Sequence, residues 1–371
     1  MKAVARIMVN RNPFTPSFGS EPLVLAGRRD ILASMARAFE NGLGDPRLTS
    51  IFVGARGTGK TALLNVIPGI AEKAGWLSVS ATVLPGMLED LYQRSLAQAS
   101  EVMEKRGDAR LTGVTVANAV GLTWETAEEE AANWRTRMYR ILDALESHGT
   151  GLLFTLDEVT PNLDEMIQFA AVYQHFVREK RSVALLMAGL PNNVSGLLSN
   201  RSASFLRRSK QYRLGKIDAM DMAYALRQTV LDGGKDIAAD ALDRAVGAIG
   251  GFPYMMQLVG FHMWEGNLET DLFSMRDVEW GVQMAAQDMR DGVYRNTLAE
   301  LSGKDLEFLA AMLEDESTSE MGDIARRMNV TPGYASQYRL RLIDQGVIGA
   351  RGRGRVWFDI PGFDEYLRGA L

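Results

Sequence analysis

The stretch IFVGARGTGKTALLNVI (residues 51–67) carries the residues whose types and spacing do recognisable chemistry. Gly54, Gly59, Lys60 and Thr61 fill the pattern G-x-x-x-x-G-K-S/T, with Ala55, Arg56, Gly57 and Thr58 between them. Glycines let a backbone wrap closely around an anion without Cβ clashes. Amides of such a loop, and of a helix that begins just after it, point inward at that anion. In this pattern Lys60 reaches the β- and γ-phosphates of ATP, and Thr61 ligates Mg2+. Lys60 is expected to face solvent, so that its loss leaves no cavity. A buried-strand pattern precedes the loop and a helical pattern follows it. A chance glycine turn does not require that context, and the motif does.

A second segment, GLLFTLDEV (residues 151–159), is an apolar strand pattern ending in two acids. Asp157 would hold Mg2+ directly or through water, and Glu158 would orient or deprotonate the attacking water. Alone such a pair is only a surface feature; downstream of a phosphate loop it is a candidate catalytic pair. SVALLMAGLPNNV (residues 182–194) is another buried strand, ending near two asparagines. Asn192, with Asn193 close behind, is placed to hydrogen-bond a γ-phosphate or the water; the alternative is that both only make a turn. Arg201 to Lys216 carries six basic residues and no acid. One reading makes Arg207 or Arg208 a finger reaching a neighbouring subunit's γ-phosphate. The other is a solvated or DNA-facing basic surface, and the residues leave both open.

The elements that must position these groups follow from periodicity. LTSIFVG, WLSVSATV, GLLFTLDE and SVALLMAG read as buried strands, with longer helical patterns between them. Strands alternating with helices imply a parallel sheet covered on both faces. GVTVANAVGLTW (residues 113–124) alternates weakly and suits an extra hairpin or edge strand. The helical pattern of residues 126–149 places Trp134, Met138, Ile141, Leu142 and Leu145 on its apolar face. NRNPFTPSFGSEP (residues 10–22) reads as an ordered arm, and Asn41-Gly42 stops the helix after it. From about Ile217 the pattern is purely helical. The expected organisation is an arm at 1–22, a phosphate-loop core at 23–216, a helical lid at 217–300 and a C-terminal unit at 301–371.

The 371 residues are 46% hydrophobic, enough for a full core, and the net charge is −5. That balance excludes a chain coated in nucleic acid but allows a local basic patch. Absence of cysteine removes disulfides, thiol chemistry and cysteine-ligated zinc. The three histidines (His148, His175, His262) are far apart, which argues against a histidine metal site. With no apolar run of membrane-spanning length and no leader-like N-terminus, the chain reads as cytoplasmic, with no membrane partner.

The run NPFTPSFGSEPLVLAGRRDIL, then GARGTGKT, LDE and AGLP, resembles the AAA+/STAND-type P-loop ATPases near the archaeal ATPase and Orc1/Cdc6-like group. The resemblance covers residues 10–265, and its two Walker motifs are its most specific part. It implies an α/β P-loop NTPase fold, ATP and Mg2+ as cofactors, and hydrolysis to ADP and phosphate. AGRRDIL is similar to the segment that contacts adenine in that group, which puts Gly27 and Arg28 near the base. The family's lid often supplies an arginine after a glycine-rich turn. GGFPYMMQLVGFHMWEG keeps Gly-Gly-x-Pro and has no arginine.

Residues 301–371 have the pattern of a winged helix. Thr331 can cap a third helix and Pro332 suits its first turn. Ala335, Tyr338, Leu342 and Ile343 share a core-facing side, while Tyr334, Gln337 and Arg341 share a face that can meet DNA. Gly346 ends that helix. VIGARGRGRVWFDI reads as the wing, with Arg351, Arg353 and Arg355 directed at phosphates or a minor groove and Val356 and Phe358 turned inward. From Arg326 to Trp357 seven arginines face one acid, Asp344, a local charge of +6. Double-stranded DNA is the expected partner, together with self-association. Two further readings stand beside it: a signalling switch whose winged helix packs on the ATPase and holds it closed without DNA, and a nucleotide-binding scaffold that barely hydrolyses.

Overall fold

The computed structural model describes residues 11–17, 19–105, 127–350, 352 and 354–371. The hairpin expected at 113–124 and two wing arginines, Arg351 and Arg353, lie outside the described residues.

Five parallel strands form the central sheet: β1 (Thr49–Gly54), β2 (Trp76–Thr82), β3 (Gly151–Asp157), β4 (Val183–Gly189) and β5 (Lys210–Leu214), in the order β2-β3-β4-β1-β5. Leu156 pairs with Met187, Val53 with Gly189, and Gly54 with Leu214. Runs of aliphatic residues suit such strands because both faces are covered. Phe52, Leu153 and Leu186 pack beneath α1 (Arg29–Asn41) and α2 (Lys60–Lys73). Ile51, Val53, Phe154 and Met187 pack on the other face. That face carries α3 (Met87–Lys105), α4 (Ala127–Glu146), α5 (Asp164–Arg178) and α6 (Pro191–Ser199). A 3-10 helix (Arg201–Arg208) leads into β5.

The lid contains α7 (Ala219–Asp232), α8 (Ala239–Ile249), α9 (Pro253–Gly266) and α10 (Met275–Met289). It is not purely helical. β6 (Asp236–Ile237) and β7 (Leu272–Phe273) make a short parallel pair, too brief to leave a period-two pattern. A π turn (Arg290–Tyr294) joins α10 to α11 (Arg295–Ala299). The C-terminal unit has α12 (Gly303–Met312), α13 (Met321–Arg327) and α14 (Pro332–Asp344), then α15 (Phe363–Ala370). Its antiparallel sheet has the order β8-β10-β9, from β8 (Ser319–Glu320), β9 (Ile348–Ala350) and β10 (Arg355–Phe358). This is a winged helix, with Val356 fully buried under the wing. Thr331 caps α14 by accepting from the Tyr334 amide.

One buried cluster runs from Phe14 through the lid to Phe363 and Leu367. The N-terminal arm is thereby fastened to the lid: Asn12 donates to the Phe261 carbonyl at 3.1 Å, and Thr15 N–H to Gln257 at 2.9 Å. Further along, the Gly19 carbonyl accepts from Asn65 of α2 at 3.0 Å, so the arm bridges lid and core. Among the described residues no helix is long and apolar enough to cross a membrane.

Candidate nucleotide site

The phosphate loop, residues 54–61, joins the C-terminal end of β1 to α2, and Gly59 caps that helix in a left-handed conformation. Thr61 and Asp157 come together although a strand, β4, lies between β1 and β3. The Thr61 hydroxyl donates to Asp157 Oδ2 at 2.6 Å. Asp157 Oδ1 accepts from the Glu158 amide at 2.8 Å, so both carboxylate oxygens are oriented. Glu158 is exposed and has φ of +54°, in the left-handed region that costs a residue with a Cβ about 1–2 kcal/mol. Strain of this kind clusters at functional positions.

Lys60 departs from expectation. It is buried, not solvent-facing, and its Nζ donates to the carbonyls of Gly54 at 3.0 Å and Ala55 at 2.9 Å. The loop thus folds two of its own carbonyls around the ammonium. Burial pushes the Lys60 ammonium below its ordinary pKa, while the charges of Glu158 and Asp157 partly offset this. The Ala55 carbonyl also accepts from the Thr58 hydroxyl at 2.8 Å.

Arg28 lies under the loop. Its guanidinium donates to the carbonyls of Thr58 at 3.2 Å and Gly215 at 3.3 Å, tying the loop to the end of β5. Desolvation lowers the Arg28 pKa, and nearby Asp221 offsets part of that. Gly27 packs against Ile217 and Asp221, where core meets lid. The lid itself reaches the loop through Phe252 and Tyr254: a Cβ at Gly57 would lie 2.5 Å from the Phe252 ring. Gly57 also has φ of +77°. Sequence reading missed both lid residues. The Gly-Gly-x-Pro turn that aims α9 at the loop was the available signal.

Asn192 and Asn193 sit in the first turn of α6, not in a free turn after β4, and Asn192 is exposed. They share the loop's end of the sheet, since Gly189 pairs with Val53. Arg207 and Arg208 are exposed at the opposite end. They precede Lys210, which pairs with Ser50, whereas the loop begins at Gly54 opposite Leu214. At about 3.3 Å per strand residue they stand more than roughly 13 Å from the loop, out of reach of their own chain's site. Arg207 donates to the Leu198 carbonyl at 2.7 Å.

The C-terminal unit does not stand apart. Gly346, just past α14, lies on Ala55: a Cβ at Gly346 would fall 2.6 Å from Ala55 Cβ and 2.9 Å from its Cα. Beside it Arg56 pairs at 2.9 Å with Glu300, the last residue of the lid, and Lys216 lies over the Trp357 ring of the wing at 4.1 Å. α14 also packs against α6. The +6 counted along the sequence is largely offset in three dimensions. Arg326 pairs with Asp323, Arg327 with Glu314 and Asp315, Arg341 with Asp305, and Arg355 with Glu320. All five partners lie outside the window in which the charge was counted. Tyr334 and Gln337 are exposed on α14, the Tyr334 hydroxyl 3.1 Å from that of Tyr338.

Structural comparison agrees with this architecture. A Walker-type ATPase of Pyrococcus abyssi superposes with a TM-score of 0.65 at 12% identity, covering 93% of this chain and 96% of that one. The Orc2 protein of Aeropyrum pernix, in its ADP form, gives 0.53 at 15% identity, covering 95% of each chain. The chain has the P-loop ATPase fold. The likeness to these two archaeal proteins, a Walker-type ATPase and an Orc2 protein, extends over nearly its full length. Residues 291–367 match a family described as a domain of unknown function (DUF8462). No curated protein matches the sequence significantly.

Proposed function

We propose that the chain is a Mg2+-dependent ATPase whose nucleotide state controls its assembly or its hold on DNA through the winged helix. The observation that carries this reading is the Thr61–Asp157 hydrogen bond, which unites the two Walker segments beside a buried Lys60. A hydroxyl and a carboxylate are hard oxygen donors. Mg2+ takes few protein ligands and completes its shell with phosphate and water.

Mg2+ would neutralise charge on the transferred phosphoryl group. The residues do the rest. Loop amides from Gly54 to Thr61 and the N-terminus of α2 cradle the phosphates, and Lys60 exchanges its carbonyl acceptors for phosphate oxygens. Thr61 and Asp157 would hold the ion. Glu158, exposed beside them, takes the proton of the attacking water. Asn192 orients that water or the γ-phosphate. Gly27 and Arg28 shape the base side. Arg207 and Arg208 serve a neighbouring subunit, because they face away from their own site. On the winged helix, Tyr334, Gln337 and Arg341 would face base edges, and Arg351, Arg353 and Arg355 phosphates.

The second reading gives the winged helix protein contacts only. It is favoured by the ion pairs of Arg341 and Arg355 and by the seat of Gly346 on the phosphate loop. DNA binding measured with and without ATP across salt concentrations separates the two. Phosphate contacts release counterions, so the first reading requires salt-sensitive binding and the second none.

A further inference from the structure

A cavity of about 210 Å³ opens where the C-terminal unit meets the segment that joins β5 to α7. Drug-sized ligands fill about 300–1,000 Å³, so this space suits something smaller. Its polar groups come from three places. Lys216 belongs to the joining segment, Glu316 and Ser317 to the turn between α12 and β8, and Asp364 and Arg368 to α15. Asp315 also lines it, but Arg327 already neutralises that carboxylate at 2.6 Å. Two cations and two carboxylates remain, and they do not cancel one another. Among the described residues Glu316, Asp364 and Arg368 form no ion pair, and the Ser317 hydroxyl no hydrogen bond. Asp364 and Arg368 stand one helical turn apart, a spacing at which opposite charges can pair, yet both line the cavity unpaired. Lys216 is held over the Trp357 ring at 4.1 Å. Met312, Phe358 and Ile360 supply an apolar side to the same cavity.

We propose that this cavity binds a small zwitterion, a free α-amino acid with an apolar side chain. Its carboxylate meets Lys216 and Arg368, its ammonium meets Glu316 and Asp364, and its side chain lies against Met312, Phe358 and Ile360. The charges select this class. A simple anion would gain the two cations but be repelled by the two carboxylates, and a simple cation would meet the reverse. A molecule that carries both charges satisfies both pairs, so neither end is desolvated without a partner. The site is separate from the nucleotide and DNA readings, because no residue of the phosphate loop or of α14 lines it. A bound amino acid would join the segment leading into the lid to the winged helix.

Isothermal titration of the full chain with L-leucine, L-methionine and L-phenylalanine tests this. At least one should bind with a dissociation constant on the order of 1 mM or below. N-acetyl-L-leucine lacks the ammonium and L-leucinamide the carboxylate. Each should bind about tenfold more weakly than L-leucine, the loss expected for one hydrogen-bonded charge. Asp364→Asn and Arg368→Gln should each weaken the amino acid by a similar factor. Asp364→Asn should at the same time tighten N-acetyl-L-leucine, because it removes a repulsion; a merely structural role for Asp364 would not produce that opposite shift. Arg368 is exposed and Asp364 partly so, and the melting temperature of each variant checks that the fold survives. No binding of any of the three amino acids up to about 10 mM, ten times a millimolar constant, would overturn the proposal. Equal binding of L-leucine and N-acetyl-L-leucine would overturn it too, as would variants that bind like wild type. Binding of L-leucyl-L-leucine without any free amino acid would move the site to peptide ends and overturn it as stated.

Discussion

Replacing Lys60 by Ala separates two roles that its burial joins. The side chain donates to two loop carbonyls, Gly54 at 3.0 Å and Ala55 at 2.9 Å. Hydrogen bonds from a charged donor contribute about 1.5–3 kcal/mol each, so the gross loss is roughly 3–6 kcal/mol. Two effects oppose it. The ammonium is desolvated, as its lowered pKa indicates, and its removal relieves that cost. The Ala55 carbonyl keeps its bond from Thr58, so only the Gly54 carbonyl is orphaned. The net destabilisation should be about 1–2 kcal/mol, a modest fall in melting temperature with the fold retained. The loss of nucleotide affinity should be larger. Truncating one partner of a desolvated charge pair costs about 2–5 kcal/mol, roughly 30- to 5,000-fold. Differential scanning calorimetry and titration with a fluorescent ATP analogue read the two effects separately. Wild-type affinity in a folded variant would refute the phosphate-loop assignment. A melting temperature at or above wild type would show that desolvation outweighs the two hydrogen bonds.

Arg208→Ala, and to a smaller degree Arg207→Ala, should lower turnover without loosening nucleotide, and only at concentrations where subunits associate; normal turnover in an assembled double variant returns the cluster to a plain basic surface. Replacing Arg351, Arg353 and Arg355 by Ala should weaken DNA binding about equally across sequences and flatten its salt dependence by roughly one unit of slope per lost contact. Gln337→Ala or Arg341→Ala should instead alter which sequence is preferred, read by competition binding. Asp315 bonds to Arg327, which holds its carboxyl near about 2, below its ordinary 3.8. A depressed carboxyl stabilises the fold above its unfolded pKa, and that contribution is lost as pH falls through the folded value. Asp315→Asn should therefore be less stable than wild type at neutral pH, with the gap closing between pH 4 and 2 in denaturant melts.

How much was legible in sequence depended on how local each feature is. The strands β1, β3 and β4 were plain because both their faces are buried, leaving apolar runs; β2 lies at the sheet's edge, is exposed toward its end, and was legible from Trp76, Leu77 and Val79. β5, KQYRL, is an edge strand with an exposed first residue and a buried last one, and its lysine and arginine hid it within a basic cluster. The loop and the acidic pair were legible because phosphate chemistry fixes residue types at fixed spacing. The burial of Lys60 was not, since it depends on how the loop closes on itself. Local charge misled for the same reason. Arg341 meets Asp305 and Arg355 meets Glu320 only after the chain folds back by some 35 residues. Gly346 reads in sequence as a helix stop, and Phe252 as the residue before a proline. Their contacts with Ala55 and Gly57 belong to tertiary structure alone.

The central claim is that Thr61, Asp157, Lys60 and Glu158 form a working Mg2+-ATP site. Phosphate release by wild type and Glu158→Gln, with and without Mg2+ and alongside ATP-analogue binding, tests it most directly. Wild type should release phosphate only with Mg2+. Glu158→Gln should bind the analogue as wild type does and turn over on the order of 10²–10⁴ more slowly, because the amide keeps the shape and loses the base. Equal turnover by the two proteins, or a wild type that neither binds the analogue nor releases phosphate, would contradict the account.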